Sequence, residues 1–469
     1  PYPPLTDTRP ARTKSPLWLN DLTYYHTRGH TSFAGERSLD GDFFGLDDMF
    51  TEHPDVVDGM TQIYKDWITG YDIDGYRIDT VKHVNLEFWQ EFTPEIMAHA
   101  ATTPGREDFF VFGEVFSGNP ELLSHYTGRA DFPAVLDFRF QEQVRLYASA
   151  NGNSDIMRDL FADDDWFTDA DSNVYALPTF LGNHDRGRFG WFLDVDNGGS
   201  LSDDEMVARS KLATAIMFFS RGVPVIYYGD EQGFVGDGGD KDARQDMMPS
   251  QVPSYNDDDL IGTAATTAEA NFDQTHPLYA SYSDYAAILA AHPALGSGAQ
   301  LHRYSQDAPG IYALSRIDRD EQVEYIVAFN NDNSLQTAAF ATDSPNTTFS
   351  EIYPGASTVP SDADGNVGIG LPAVSFAIYR AGASLPSSEA APGVAFNTLV
   401  SGQEIEIGTQ EMDGNNVQDR IEVGVALSED KYAEATFAVR KSGEADYTVI
   451  GVDDNAPYRV FFSLEDVPG

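Results

Sequence analysis

Three carboxylates stand directly after short apolar segments of this chain. Asp79 closes GYRID at 75–79, Glu114 follows FFVFG, and Asp185 closes FLGNHD at 180–185. Cleavage of a glycosidic bond requires one ionised carboxylate and one protonated carboxyl group flanking the bond. A third carboxylate beside them would stabilise the positive charge that develops on the sugar ring. These residue types therefore indicate acid–base chemistry on a saccharide.

The settings of the first two carboxylates predict opposite protonation states. Side chains two residues apart on a strand share a face, so Arg77 and Asp79 are expected to project together. A buried arginine beside a carboxylate keeps that carboxylate ionised at neutral pH. Glu114 follows the apolar run FFVF, and an apolar setting raises the pKa of a carboxyl group so that it can keep its proton.

Helical and strand-like segments alternate from about residue 54 to 230. The predicted strands are GYRIDT, FFVFGEVF, AVLDFRF, YALPTFLGNHD and VPVIYYGDE, with amphipathic helical segments between them. Strands that alternate with helices indicate parallel βαβ units. Polar residues at successive strand tips are typical of the active face of a (β/α)8 TIM barrel. Five units are visible, so counting alone leaves an open five-stranded sheet as the alternative.

The chain changes to an all-β pattern after a predicted helix at 277–291. Alternating apolar residues between turn-rich stretches predict an antiparallel β domain at 296–381. Residues 382–393 have the composition of a linker. The strand-like series at 394–469 predicts an immunoglobulin-like β-sandwich, either whole or incomplete.

The composition excludes several classes of partner and site. The net charge of −46, from 75 acidic and 29 basic residues, argues against nucleic acid and anionic membranes as partners. No run of 18 apolar residues exists, so no membrane span is expected. Cysteine is absent, which excludes disulfides and thiolate chemistry. The dispersed acids favour adaptation to high salt, and the acidic runs at 163–165 and 257–259 are expected to be solvated loops.

The motifs resemble, in the same order, those of the α-amylase family of glycoside hydrolases, over roughly residues 17–380. GYRIDTVKH is similar to the fourth-strand motif of the family, GEV to the fifth, FLGNHD to the seventh and VPVIYYGDEQG to the eighth. The resemblance implies that Asp79 is the nucleophile, with Arg77 as its orienting partner. It also implies that Glu114 is the general acid/base and that Asp185 stabilises the transition state.

The same resemblance implies contacts with substrate and with a metal. Lys82, His83 and His184 would bind sugar, and the backbone of His83 would touch a calcium ion. Alignment on TEHP puts Phe50 where many relatives carry an acidic calcium ligand. Calcium prefers six to eight oxygen ligands, so it is a candidate cofactor without an assigned ligand set.

One motif of the family is missing. The third-strand motif, an Asp followed by Asn-His, does not occur in the chain. We therefore expect the chain to supply barrel strands 4–8, with 54–295 as the C-terminal part of the barrel. Residues 1–53 would be the remainder of the domain inserted after strand three. A preceding segment or a companion chain would complete the barrel.

The resemblance implies an endo-acting, retaining hydrolase of α-1,4-glucans such as starch, glycogen or maltodextrins. Debranching of α-1,6 bonds and transglycosylation are alternatives, because the same carboxylates serve both. A non-catalytic glucan-binding protein is a third alternative, which the presence of all three acids disfavours. The resemblance to secreted bacterial enzymes, with the acidic composition, predicts an extracellular or periplasmic location in a saline environment.

Overall fold

The computed structural model describes residues 14–355, 357–386, 393–428 and 431–463. The α-helices of these residues are α1 (Arg37–Asp40), α2 (Pro54–Tyr71), α3 (Leu86–Ala101), α4 (Pro120–Ala130), α5 (Phe138–Val144), α6 (Asp155–Ala162), α7 (Phe189–Asp196), α8 (Asp203–Phe219), α9 (Pro277–Ala291) and α10 (Ala294–Ser297). Short 3₁₀ turns, among them Val81–His83 and Asp164–Phe167, connect these elements.

The β-strands form two groups, one among the helices and one after α10. They are β1 (Gly75–Ile78), β2 (Phe110–Gly113), β3 (Ala134–Val135), β4 (Pro178–Phe180), β5 (Val223–Val225), β6 (Ala299–Tyr304), β7 (Ile311–Ile317), β8 (Val323–Asn330), β9 (Gln336–Ala341), β10 (Thr348–Tyr353), β11 (Thr358–Pro360), β12 (Asn366–Leu371), β13 (Ser375–Ser384), β14 (Val394–Phe396), β15 (Thr409–Met412), β16 (Asn415–Gln418), β17 (Ile421–Leu427), β18 (Ala435–Val439), β19 (Thr448–Asp453) and β20 (Arg459–Phe462).

Two long helices begin at recognisable start signals. The His53 side chain accepts a hydrogen bond from the Asp55 N–H, and Pro54 occupies the first turn of α2, where its missing N–H costs nothing. Ser202 and Glu205 form a capping box at the start of α8, so that two otherwise unpaired N–H groups are satisfied. The sequence therefore fixes where the helices flanking the sheet begin.

Strands β1 to β5 run parallel. β1, β2 and β3 are neighbours, and β4 pairs with β5. The Asp137 N–H donates to the Pro178 carbonyl at 3.0 Å, which joins β3 to β4. The register pairs Ile78 with Gly113 and Gly113 with Val135. The carboxyl ends of these strands therefore lie at one edge, and the residues that follow them are neighbours.

Two of these strands are shorter than the apolar segments that predict them. Only Ala134–Val135 of AVLDFRF pairs in the sheet, because the Asp137 side chain accepts from the Phe140 N–H and starts α5. An aspartate at this position satisfies a free helical N–H and so ends the strand. Only Pro178–Phe180 of YALPTFLGNHD is extended in the ladder.

An antiparallel sheet follows the helical part. Its strand order is β11-β10-β13-β8-β7-β6, and β9 pairs separately with β12. β7 and β8 are buried along their whole length. The Phe219 ring on α8 lies 5.9 Å from the Phe376 ring on β13. One continuous apolar core therefore joins α8 to this sheet.

The last strands form a unit that we call the C-terminal module, residues 393–428 and 431–463. Its strands pair antiparallel as β14-β17-β20, β15-β16 and β18-β19. An immunoglobulin-like topology stays a prediction. The Phe461 ring stacks on Trp166 with centroids 3.7 Å apart, so the module packs against the helical part. The predicted linker at 382–393 begins inside β13, which extends to Ser384. Residues 387–392 of this linker lie outside the described residues.

The prediction of a solvated loop at 163–165 is wrong for two of its three acids. Asp164 and Asp165 are both buried. The Arg221 Nε lies 3.0 Å from the Asp164 Oδ1, and the Arg459 Nε lies 2.6 Å from the Asp165 Oδ2. Arg459 belongs to the C-terminal module. An ion pair with a residue far away in sequence therefore compensates for the burial of the Asp165 carboxylate.

In the described part of the chain, no helix has the length and apolar character needed to cross a bilayer.

Candidate active site

Asp79 follows β1 and pairs with Arg77. The guanidinium of Arg77 donates to the Asp79 carboxylate, so the two side chains share a face as expected. The Asp79 side chain is 65% exposed, which leaves its carboxylate open to a substrate. The expectation that Arg77 is buried is wrong, because it lies on an exposed edge of β1. Among the described strands, only β2 pairs with β1.

A strained residue directly follows Asp79, before the 3₁₀ turn Val81–His83. Thr80 has φ +54°, a left-handed conformation that is rare for a β-branched residue. This conformation points the Thr80 N–H at the Glu114 Oε2, 2.9 Å away. The Val81 N–H donates to the Glu114 carbonyl at 2.9 Å. Backbone strain at this point therefore holds the second carboxyl group beside the first, as strain at functional sites often does.

Glu114 has the buried, apolar setting that its sequence predicts. The residue is only 6% exposed. Burial raises the pKa of Glu114, and the nearby charges of Asp79 and Asp185 raise it further. The Thr80 N–H and Arg77 oppose this rise in pKa without cancelling it. Asp79 and Asp185 therefore lie near enough to Glu114 to act on its pKa.

Asp185 lies beside His184 and Arg244. The His184 Nε2 lies 3.2 Å from the Asp185 Oδ2. The Arg244 Nη2 lies 3.8 Å from the Asp185 Oδ1 and 2.7 Å from the Asp240 Oδ1. Nothing in the local sequence KDARQDM marks Arg244 as a side chain of the site. Its position beside Asp185 is visible only in three dimensions.

The predicted sugar-binding residues after Asp79 are partly engaged within the protein. The Lys82 Nζ donates to the Phe116 carbonyl at 2.8 Å. The His83 Nδ1 donates to the Ser38 carbonyl at 3.0 Å. Burial lowers the pKa of His83, which favours the neutral imidazole. Of these two residues, Lys82 is therefore the one that presents a cation to the site. The hydrogen bond to the Ser38 carbonyl fixes the His83 ring.

The residues around His83 do not fit the expected calcium site. Phe50, which aligns with an acidic ligand of relatives, packs its ring 4.8 Å from the His26 ring. The Asp48 Oδ2 lies 2.6 Å from the His26 Nδ1, so this carboxylate is already paired. The Phe33 ring lies 5.7 Å from the His83 ring. An aromatic ring thus packs against His83, and aromatic rings supply none of the six to eight oxygen ligands that calcium prefers.

One acidic group elsewhere has the geometry to hold a cation. Oxygen atoms of Asp237, Asp257 and Asp258 all lie within 4.8 Å of one another. Nearby acids and partial burial raise the pKa of Asp258 to about 6. Exposed acidic groups of this kind are common without a metal, so the geometry of these three carboxylates alone does not assign a bound ion.

Comparison with known proteins identifies the family of the chain. The family model described as the alpha amylase catalytic domain matches residues 24–292. The chain belongs to the α-amylase family. Membership implies a (β/α)8 barrel followed by C-terminal β domains, which corrects the open five-stranded sheet that strand counting alone allowed.

Three named relatives illustrate the similarity within the α-amylase family. The chain is 42% identical to an alpha-amylase of Streptomyces lividans over 469 residues, which are 100% of this chain and 49% of that protein. It is 30% identical to a beta/alpha-amylase of Paenibacillus polymyxa over 71% of this chain and 24% of that protein. It is 31% identical to a cyclomaltodextrin glucanotransferase of Thermoanaerobacterium thermosulfurigenes over 47% of this chain and 29% of that protein.

A solved structure shows the same architecture. The alpha-amylase of Geobacillus thermoleovorans, complexed with acarbose, superposes with a TM-score of 0.62 at 25% identity. The match covers 78% of this chain and 73% of that chain. The chain therefore has the family's fold, and it spans about half the length of its Streptomyces lividans relative.

Proposed function

We propose that this chain carries the catalytic residues of an endo-acting, retaining hydrolase of α-1,4-glucans such as starch, glycogen or maltodextrins. One observation carries the proposal. Buried Glu114 has a raised pKa and lies within the electrostatic reach of exposed Asp79 and of Asp185. A protonated and an ionised carboxyl group at one site are what a retaining glycosidase needs. The Streptomyces lividans relative, named an alpha-amylase, supports the choice of substrate.

Each acid has a defined task in this mechanism. Asp79, paired with Arg77, attacks the anomeric carbon and forms a glycosyl ester. Glu114 gives its proton to the leaving oxygen and later takes one from the attacking water. Asp185 stabilises the oxocarbenium-like charge on the ring.

Transglycosylation is a second candidate function. The glucanotransferase relative from Thermoanaerobacterium thermosulfurigenes supports it, because a sugar hydroxyl can replace water in the second step of the same mechanism. Product analysis on amylose separates the two, since a hydrolase shortens the chains while a transferase redistributes or cyclises them. Pullulan, with its α-1,6 bonds, tests the debranching alternative. A degenerate glucan-binding protein would bind glucan without turnover.

We also propose that β1–β5 correspond to barrel strands 4–8 and that a preceding segment or companion chain supplies the other strands. The apolar side chains of Val223 and Val225 on β5 are exposed, and β1 offers a free edge among the described strands. In a closed barrel, neighbouring elements would cover the two valine side chains and the free edge of β1. Intact mass of active enzyme tests the proposal, and activity from a single species of only 51.5 kDa would contradict it.

The proposed setting is extracellular or periplasmic, in a saline environment. The net charge of −46 supports it, because dissolved salt screens the mutual repulsion of such a surface. Immunodetection in the culture medium and in the periplasmic and cytoplasmic fractions of the source cells tests the location. Recovery in the cytoplasmic fraction alone would contradict it.

The proposed mechanism is tested by Asp79→Asn and Glu114→Gln in the intact enzyme. Loss of the general acid is expected to reduce the turnover of amylose by about 10²–10⁴-fold, and loss of the nucleophile by at least as much. Circular dichroism should match the wild type, since both changes are isosteric. Asp240→Asn is a matched control, because Asp240 contacts Arg244 without acting on Glu114. Turnover at the wild-type rate in Asp79→Asn or Glu114→Gln would refute the assignment.

A further inference from the structure

The C-terminal module reaches the candidate active site through one hairpin. β15 and β16 are joined by a tight turn, Met412 to Asn415, which we call the hairpin tip. The Ser38 Oγ donates to the Asp413 carbonyl at 3.3 Å, and the Lys82 Nζ lies 3.4 Å from the Asp413 Oδ2. A turn from the end of the chain thus contacts a predicted sugar-binding residue.

The hairpin is anchored firmly on the helical part. Val417 is 1% exposed and belongs to the apolar core around α3 and α4. The Tyr126 hydroxyl donates to the Asn415 Oδ1 at 3.0 Å in a buried position. The Arg420 Nη2 donates to the Ser124 Oγ at 2.8 Å. These contacts involve the last residue of the hairpin tip and the residues that follow it, so they hold the tip on the helical part beside Lys82.

The sequence of the hairpin tip is suited to this close approach. Asp413 has φ +50° and Gly414 has φ +85°, the left-handed pair that a two-residue hairpin turn needs. A Cβ atom added to Gly414 would overlap the side chain of Ser38. Glycine at 414 therefore serves both the turn and the contact with helix α1, which carries Ser38.

The hairpin tip lies on the leaving-group side of the site. Lys82 donates to the carbonyl of Phe116, which is two residues after Glu114. In the proposed function, Glu114 protonates the leaving oxygen, so the departing sugar lies on the Glu114 side. The Asp413 side chain is 52% exposed beside Lys82. This carboxylate therefore borders the space that the departing glucan would occupy.

We propose that Asp413 is a positioning residue that acts through Lys82 and helps to set specificity for the departing part of the glucan. Its carboxylate restrains the Lys82 ammonium group, which then meets the hydroxyl groups of the sugar beyond the cleaved bond. The C-terminal module is thus a wall of the glucan cleft. This inference rests on the proposed function, since it assumes a glucan held across Glu114.

Asp413→Asn tests this role by a comparison of two substrates. Maltoheptaose places sugars on the leaving-group side, whereas a nitrophenyl maltooligoside cut at its aryl group places none there. We expect KM for maltoheptaose to rise about two- to fivefold, the range of a partly exposed ion pair, with kcat unchanged. Kinetics on the aryl substrate should equal the wild type. Glu444→Gln, an exposed acid of the same module, is the control.

A second variant in the Lys82→Met background separates positioning from a structural effect. If Asp413 acts through Lys82, Asp413→Asn should add no further rise in KM once the ammonium group is gone. Equal and additive effects in both backgrounds would overturn the proposal, because they would show that Asp413 works independently of Lys82.

A pair of glycine variants tests the close approach itself. Gly414→Ala should raise KM for maltoheptaose as Asp413→Asn does, because the added methyl group pushes the hairpin tip away from Ser38. Gly402→Ala is the matched control, since Gly402 has φ +81° and no neighbour within 4 Å. It carries the same backbone strain without the clash, so its KM should stay at the wild-type value. If Gly414→Ala does not fold, the KM of Asp413→Asn for maltoheptaose alone tests the proposal.

The outcomes distinguish this inference from the proposed function. If Asp413→Asn has the wild-type KM for maltoheptaose and Asp79→Asn is inactive, the inference is overturned and the proposed function stands. Activity in both Asp79→Asn and Glu114→Gln would instead refute the function, and the inference would fall with it.

Discussion

At the scale of single residues, Asp79 and Glu114 carry the same functional group in opposite surroundings. Asp79 is exposed and paired with the guanidinium of Arg77. Glu114 is buried, and the backbone N–H of Thr80 donates a hydrogen bond to its Oε2. Environment rather than residue type therefore divides the acid and nucleophile roles, as in other paired-carboxylate sites.

The charge of Asp185 is predicted to help keep Glu114 protonated. Asp185 raises the pKa of Glu114, so Asp185→Asn should lower that pKa. The general acid then loses its proton at a lower pH, and the alkaline limb of the kcat/KM profile of the residual activity should move to lower pH. Asp240→Asn, which leaves the neighbours of Glu114 in place, should not move this limb. An alkaline limb that moves to higher pH in Asp185→Asn would contradict the electrostatic account.

At the scale of elements, the hairpin of β15 and β16 belongs to the C-terminal strands by sequence and to the helical core by packing. Val417→Ala should destabilise the protein by about 2 kcal/mol, the usual cost of removing buried methyl groups. The shift should appear in the urea unfolding monitored by the fluorescence of Trp166, which stacks on the module.

Val400→Ala is the matched control for this prediction. Val400 lies in the same module but is 74% exposed, so its truncation should change the free energy of unfolding by less than about 0.5 kcal/mol. Equal effects of the two variants would mean that the hairpin is not packed on the helical core in solution.

The sequence predicts the elements that local patterns encode. Apolar runs that end in Asp79, Glu114 and Asp185 locate three strand tips, and the apolar run before Glu114 accounts for its raised pKa. Local patterns do not reveal partners that are distant in the chain. Asp165 looks solvated because its partner Arg459 lies in the last strand.

The same limit applies to the site itself. Arg77 is expected to be buried because a strand interior usually is, yet it lies on an exposed edge of β1. Asp413 carries only the signal of a hairpin turn, an Asp-Gly pair. Nothing in that signal shows that the turn meets Lys82, because the contact depends on how two distant units pack.

At the scale of the whole molecule, the net charge of −46 dominates the surface. Screening shortens the reach of repulsion from about 10 Å at 0.1 M salt to about 3 Å at 1 M. We therefore expect the melting temperature to rise between 0.1 M and 2 M sodium chloride, as measured by calorimetry. Sucrose, which favours compact states without screening charge, is the control and should give a smaller rise. A melting temperature that stays level or falls with salt would contradict the proposed salt adaptation.

The central claim is that Asp79, Glu114 and Asp185 act together on one sugar, with Asp79 as the nucleophile. The direct measurement is to incubate Glu114→Gln with maltosyl fluoride, whose leaving group needs no general acid, and to map the adduct by peptide mass spectrometry. Because the variant lacks the base for the second step, the glycosyl ester should accumulate. The account predicts one maltosyl group on the peptide that contains Asp79, specifically on its carboxylate. An adduct on another residue, or release of the inverted sugar without any adduct, would contradict it.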